Sequence, residues 1–223
     1  QKEITVLYYF QGILSGLLST KIMKDEEDTM SCEKNAAGND LLLIIDMQNV
    51  YTKGQEWACC GTDNAAKSIL KLLSSCHCPD VIFTQYLACE NPKGVWKEYN
   101  RINASINSDP WLNAIIPALL PWTKKYPIYS KSVYSSLAIP QIKEAAAQAR
   151  RVLISGVVAE CCVLSTVLAA IDEGCQVIYL KDAVSGLTPR SERETENLIS
   201  YFSPLHTKIV TTDEYLLEAA SRA

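Results

Sequence analysis

An acid, an amine and a thiol each follow a short apolar run in the sequence. Asp46 closes LLLIID, Lys131 closes YPIYSK, and the vicinal pair Cys161-Cys162 follows RRVLIS within the stretch GVVAECCVLSTVLAAIDEG. A thiol at such a turn can be a nucleophile, a redox partner or core filler. A free thiol titrates at about 8.5, and a nearby ammonium or a helix N-terminus lowers that value. Lys131 offers the ammonium, and the helical pattern that begins at the cysteines offers the dipole. Asp46 could take the thiol proton and later return it to a leaving amine. Backbone N–H groups of GVVAE could meet a developing oxyanion. Together these groups would hydrolyse an amide through a thioester. Singly, each also fits a plainer role: an Asp after a strand forms turns, a lone Lys is solvated, and a buried Cys packs. Their convergence favours the chemistry. Spacing does not decide between Cys161 and Cys162, since either can occupy the first turn of the helix.

That convergence depends on the elements that carry the three residues. LLLIID (41–46), DVIFTQ (80–85), YPIYSK (126–131), RVLIS (151–155), QVIYLKD (176–182) and TKIVTT (207–212) read as strands. Continuous apolar, β-branched runs of this kind suit strands buried on both faces. NAAKSILKLLSS, IPQIKEAAAQA, CVLSTVLAAIDEG and RETENLISYF read as helices, with Asn64 and Gly174 in the positions of cap signals. The alternation predicts a three-layer α-β-α, Rossmann-like domain around a mainly parallel sheet of about six strands with right-handed crossovers. In such sheets ligands bind outside the carboxyl ends of the strands, which is where Asp46, Lys131 and the cysteine pair fall.

Composition narrows the partners. A net charge of −4, with no basic run, argues against nucleic acid, and a small-molecule partner fits better. Nine cysteines at irregular spacing argue against a disulfide framework, so free thiols in the cytoplasm are expected. Cys59-Cys60 and Cys76-His77-Cys78 lack the C-x2-C spacing of a zinc site, and no metal is expected there. Residues 40–223 read as one domain, and 1–39 as an extension and polar linker. The apolar stretch ITVLYYFQGILSGLL (4–18) falls short of a bilayer span and follows no basic segment. It is expected to pack on the domain or on a second subunit rather than enter a membrane.

Three separated motifs carry a resemblance. LLLIIDMQNVY resembles the D-x-Q-N-x-F opening of the isochorismatase-like cysteine hydrolases, YSKSVYSS resembles their K-x-x-Y-S-A segment, and GVVAECCVLSTVLAAIDEGCQVIYLKDAVSG resembles their nucleophile turn with its C-V-x-x-T core. The likeness runs from about Leu41 to the C-terminus. It implies that Cys162, the cysteine directly before Val, is the nucleophile, and that Cys161 packs. It likewise implies Asp46 as general base and acid, Lys131 as the stabilising cation, and the backbone N–H groups of Val158 and Cys162 as the oxyanion hole. A cis peptide at Val157–Val158 and a homo-oligomer, dimer or tetramer, are expected with it.

The departures from the family pattern are informative. Members that deamidate nicotinamide hold a metal around an Asp-x-His element after the second strand, whereas FTQYLACENP has neither residue. The resemblance therefore implies metal-independent chemistry with no cofactor. Leu137 and Tyr51 stand where the family usually has Phe, which reshapes the pocket. Tyr51, Tyr86, Trp96 and Tyr134 are candidate substrate-binding walls, and Arg101 is a candidate partner for a substrate carboxylate. The expected activity is cleavage of a C–N bond in a small amide, ureide or carbamoyl compound. Two alternatives stand beside it: a vinyl-ether hydrolase releasing pyruvate, and a catalytically idle scaffold, whose signature would be a lost member of the trio.

Overall fold

The computed structural model describes residues 39–77 and 79–222. The N-terminal extension expected to pack on the domain or a second subunit lies outside the described residues. Six strands form one sheet: β1 (Leu41–Ile45), β2 (Asp80–Tyr86), β3 (Ile128–Lys131), β4 (Val152–Val157), β5 (Val177–Ser185) and β6 (Thr207–Val210). Their order is β3-β2-β1-β4-β5-β6, and every pairing is parallel. The chain winds outward from β1 to β3, then returns to β4 on the other side of β1. The topological switch point therefore lies between β1 and β4, where a crevice opens at the strand ends.

The helices are α1 (Thr62–Leu73), α2 (Trp96–Ile102), α3 (Ala104–Asn107), α4 (Pro110–Asn113), α5 (Pro140–Gln148), α6 (Leu164–Asp172), α7 (Pro189–Ser200) and α8 (Thr212–Ala220). The alternation of side chains along β1 splits the core in two. Leu42 and Ile44 meet Ile69 and Leu72 of α1 and Tyr215 of α8 on one face. Leu41, Leu43 and Ile45 meet Ile142 of α5, Val167 of α6 and Ile199 of α7 on the other. Both faces are covered, which is why the strand runs are apolar without polar alternation.

Some boundaries differ from the sequence reading. The helix expected from Asn64 starts at Thr62 after Gly61, so Asn64 is its third residue and not its cap. Gly174 does stop α6: its φ of +78° places it in the left-handed region that ends helices, and the Cys175 N–H reaches the Ala170 carbonyl. The last strand stops at Val210, and Thr211 instead caps α8 reciprocally with Glu214. The short helices α2, α3 and α4 between β2 and β3 had no counterpart in the sequence reading.

Gly156 sets the spacing of the two central strands. Its φ is +104°, and a Cβ built there would lie 2.1 Å from the carbonyl oxygen of Ile45. No side chain fits, so the end of β4 closes onto the end of β1. That approach carries the turn after β4 towards Asp46.

Candidate active site

Asp46, Lys131 and Cys162 meet at the switch point. The Lys131 Nζ lies 2.6 Å from Asp46 Oδ2, 3.3 Å from Cys162 Sγ and 3.1 Å from the Val133 carbonyl oxygen, so each ammonium hydrogen has a partner. Asp46 is fully buried and Cys162 is 4 % exposed. Asp46 itself sits at φ +51°, a left-handed conformation that costs an L-residue roughly 1 kcal/mol and that Asp tolerates better than most.

The second cysteine is sorted by the sheet. Cys162 belongs to the apolar cluster on the α5–α7 face, whereas Cys161 packs against the cluster on the opposite face. Only Cys162 bonds to Lys131 among the described cysteines. The turn from Ala159 to Val163 is a π-helical one that runs into α6. Thr166, one turn on, donates to the Cys162 carbonyl at 2.7 Å and accepts from the Ser136 N–H at 2.9 Å. It thereby ties the thiol-bearing turn to the loop after Lys131, which gives the Thr of C-V-x-x-T a physical role. The Val157–Val158 peptide is cis. Val158 is buried, and its N–H makes no hydrogen bond within the described chain. A buried N–H without a partner is uncommon, and a ligand oxygen could satisfy it.

The electrostatics depart from the sequence expectation. Burial, and next the charge of Asp46, push the Cys162 thiol well above its ordinary pKa, and Lys131 only partly opposes them. Burial also works against the charge on Lys131, but Asp46 and Cys162 outweigh it and hold its pKa above the usual lysine value. These directions favour a neutral thiol beside the Asp46–Lys131 ion pair over a preformed thiolate. Desolvation of these buried groups is the effect that spacing along the chain does not reveal.

Aromatic side chains sheath this centre. The Lys131 Nζ stands 5.9 Å from the ring centre of Tyr86, and contacts continue from Tyr86 to Trp96 and from Trp96 to Tyr134. Tyr51 joins through Trp57, which itself touches Tyr86. All four expected wall residues are therefore in one aromatic cluster. Trp57 and Tyr99 complete it and were missed. Tyr99 lies three residues after Trp96, on the same face of α2, and that spacing was a readable signal. Trp57 offered none. Arg101 is a correction: it is exposed and bonds Glu98 with both Nε and Nη2, leaving it on the surface pair and not at the cluster.

Gln48 and Thr84 frame the acid. Gln48 accepts from the Tyr86 N–H and donates to the Tyr86 carbonyl, pinning the end of β2. Thr84, in the middle of β2, reaches Asp46 directly. At the end of β2, where a metal-binding relative would need carboxylate and imidazole, the chain has Tyr86, Leu87, Ala88 and Cys89. The Tyr86 hydroxyl instead donates to Asn100 Oδ1. These residues do not fit that metal. Among the described residues no group of three His, Cys, Asp or Glu is placed to hold a metal ion, and no helix is long and apolar enough to cross a membrane.

A six-stranded parallel sheet with a buried acid, amine and thiol at its switch point is the frame of a small α/β enzyme. Residues 40–214 match the isochorismatase domain, and the chain belongs to that family of hydrolases. No curated protein matches the sequence. Among solved structures, the chain is similar to a cysteine hydrolase from Pseudomonas syringae pv. phaseolicola 1448A at 20% identity and a TM-score of 0.71, covering 82% of this chain and 93% of that one. An isochorismatase-like hydrolase from Alkaliphilus metalliredigens gives 20% identity and 0.65, with 81% and 98% covered. A nicotinamidase from Bacillus subtilis gives 16% and 0.61, with 77% and 98% covered. At these identities the likeness is one of fold.

Proposed function

We propose that this hydrolase cleaves the C–N bond of a small amide, ureide or carbamoyl compound by acylating Cys162, without a metal. As the sulfur attacks the carbonyl carbon, the thiol proton passes to Asp46, and a tetrahedral oxyanion forms. The N–H groups of Val158 and Cys162 receive that oxyanion. Asp46 then gives its proton to the nitrogen, the C–N bond breaks, and the amine departs. A water molecule repeats the sequence on the thioester, with Asp46 taking its proton and returning one to the sulfur. Lys131 keeps its charge throughout and stabilises the anionic sulfur. A thiol that is neutral at rest suits this cycle, because the proton moves only as the bond forms. The observation that carries the reading is the buried contact of Lys131 with both Asp46 and Cys162.

The vinyl-ether alternative is disfavoured by charge. An ether that leaves as pyruvate brings a carboxylate, and Lys131 has no hydrogen left to offer one while Arg101 is committed to Glu98. Burying an unpaired carboxylate among aromatic rings is costly. An uncharged amide enters without that penalty. The test is a screen for ammonia release over small uncharged amides, ureides and carbamoyl compounds, run beside Cys162→Ala. Ammonia that depends on Cys162 is the expected result. Pyruvate release, or turnover that survives Cys162→Ala, would overturn the proposal.

A further inference from the structure

Asp46 is held in place by more than its ion pair. Among the described residues it is the one non-glycine with a positive φ, so its backbone conformation must be enforced by its neighbours. Thr84 does this from two directions. Its carbonyl oxygen accepts the Asp46 N–H at 3.1 Å, and its hydroxyl donates to Asp46 Oδ1 at 2.8 Å. Thr84 is fully buried in β2, and its β-branched side chain has few χ1 choices. Lys131 binds the other oxygen, Oδ2. The carboxylate is thus fixed at both ends, with its plane set relative to the thiol.

We propose that Thr84 is a positioning residue for the acid–base step, acting through Asp46 and never touching substrate. The inference rests on the reading of Asp46 as the group that moves the proton. Without the hydroxyl, Oδ1 loses its donor and the carboxylate can turn about its own axis while keeping the lysine. A proton transfer that needs one oxygen aligned on the sulfur then slows. The groups that face Asp46 from other elements are Lys131, Cys162 and Tyr51, and all three stay unchanged when Thr84 is varied.

The experiment compares Thr84→Val, which keeps the shape and removes the hydroxyl, with Thr84→Ser, which keeps the hydroxyl. The probe is p-nitrophenyl acetate, whose acyl group a thiol accepts with release of p-nitrophenol; Cys162→Ala defines the part of that release due to Cys162. In Thr84→Val the Cys162-dependent rate should fall about tenfold or more with little change in KM, as for a catalytic group displaced by a fraction of an ångström. Thr84→Ser should restore the rate. A thermal melt confirms that each variant is folded, and Thr84→Ala carries the same comparison if Thr84→Val does not accumulate. A wild-type rate in Thr84→Val, beside a silent Cys162→Ala, would overturn the positioning role alone. So would a Thr84→Ser variant as slow as Thr84→Val. Release undiminished in Cys162→Ala would bring down the reading of the nucleophile, and this inference with it.

Discussion

Lys131 commits its three ammonium hydrogens to Asp46, to the Val133 carbonyl and to Cys162. Two consequences follow from the burial of that arrangement. Removing either member of the ion pair strands the other as an uncompensated charge, a loss of about 3–5 kcal/mol, whereas removing both leaves none. Urea unfolding should therefore find Asp46→Asn/Lys131→Met more stable than either single variant. The second consequence concerns the thiol. Since burial and Asp46 raise the Cys162 pKa while Lys131 lowers it, the two substitutions act in opposite directions. At neutral pH iodoacetamide should reach the exposed Cys76 and Cys89 in the wild type before Cys162. Asp46→Asn should speed alkylation of Cys162 even as it abolishes turnover, because each unit of pKa lost multiplies the thiolate about tenfold. Lys131→Met should slow it. Peptide mapping of the label against time checks all three, and a slower Cys162 in Asp46→Asn would contradict the assigned electrostatics.

At the scale of elements, the close approach of β4 to β1 is the feature on which the site depends. Gly156→Ala would put a methyl carbon against the Ile45 carbonyl at a residue whose φ already excludes L side chains. Such a variant should lose more than about 4 kcal/mol and yield little soluble protein, a result that expression and urea unfolding will show. The four inner strands and α1, α5, α6 and α7 were legible in the sequence because each buries a continuous run or an amphipathic stripe, whereas the edge strands β3 and β6 are half-exposed and were legible only as short runs of β-forming residues. The helix α2 was not: none of its residues is buried, and the Trp96–Tyr99 spacing alone is too short a period to mark a helix. The start of α8 had a signal, the T-x-x-E of Thr211 and Glu214, but the preceding strand's β-branched residues masked it. In the site, Asp46, Lys131 and the cysteine pair were legible because strand ends point them to one rim, and the family resemblance alone chose Cys162 over Cys161. Thr84 and Trp57 were not, since they reach it through pairing of β2 with β1 and through packing of one ring on another, and neither relation has a fixed spacing along the chain.

At the scale of the whole molecule, the two ends of the sheet are built differently. The end away from the site is stitched by charge: Asp40, just before β1, accepts from Arg150, Arg151 and the Tyr215 hydroxyl, and Arg151 also binds Glu218 of α8. Burial opposes the charge on Asp40, but the arginines outweigh it and hold its pKa below the ordinary value. Glu218 is held at about 2, chiefly by Lys208. Depressed carboxylates stabilise the fold above their unfolded pKa and cease to do so as pH falls through the folded one. The urea midpoint should therefore decline from about pH 4 downward, and Asp40→Asn should be less stable at pH 7 and flatten that decline. The end that carries the site presents the opposite case, a paired and neutral centre behind aromatic rings. An uncharged molecule approaching it is neither drawn nor repelled over distance, so encounter is left to plain diffusion. Raising ionic strength from about 0.01 M to about 0.1 M contracts the Debye length from about 30 to about 10 Å. Catalysts that steer charged substrates slow sharply across that range. Here kcat/KM on an uncharged amide should hold constant within about twofold, making the enzyme's speed a property of the collision itself rather than of the salt around it.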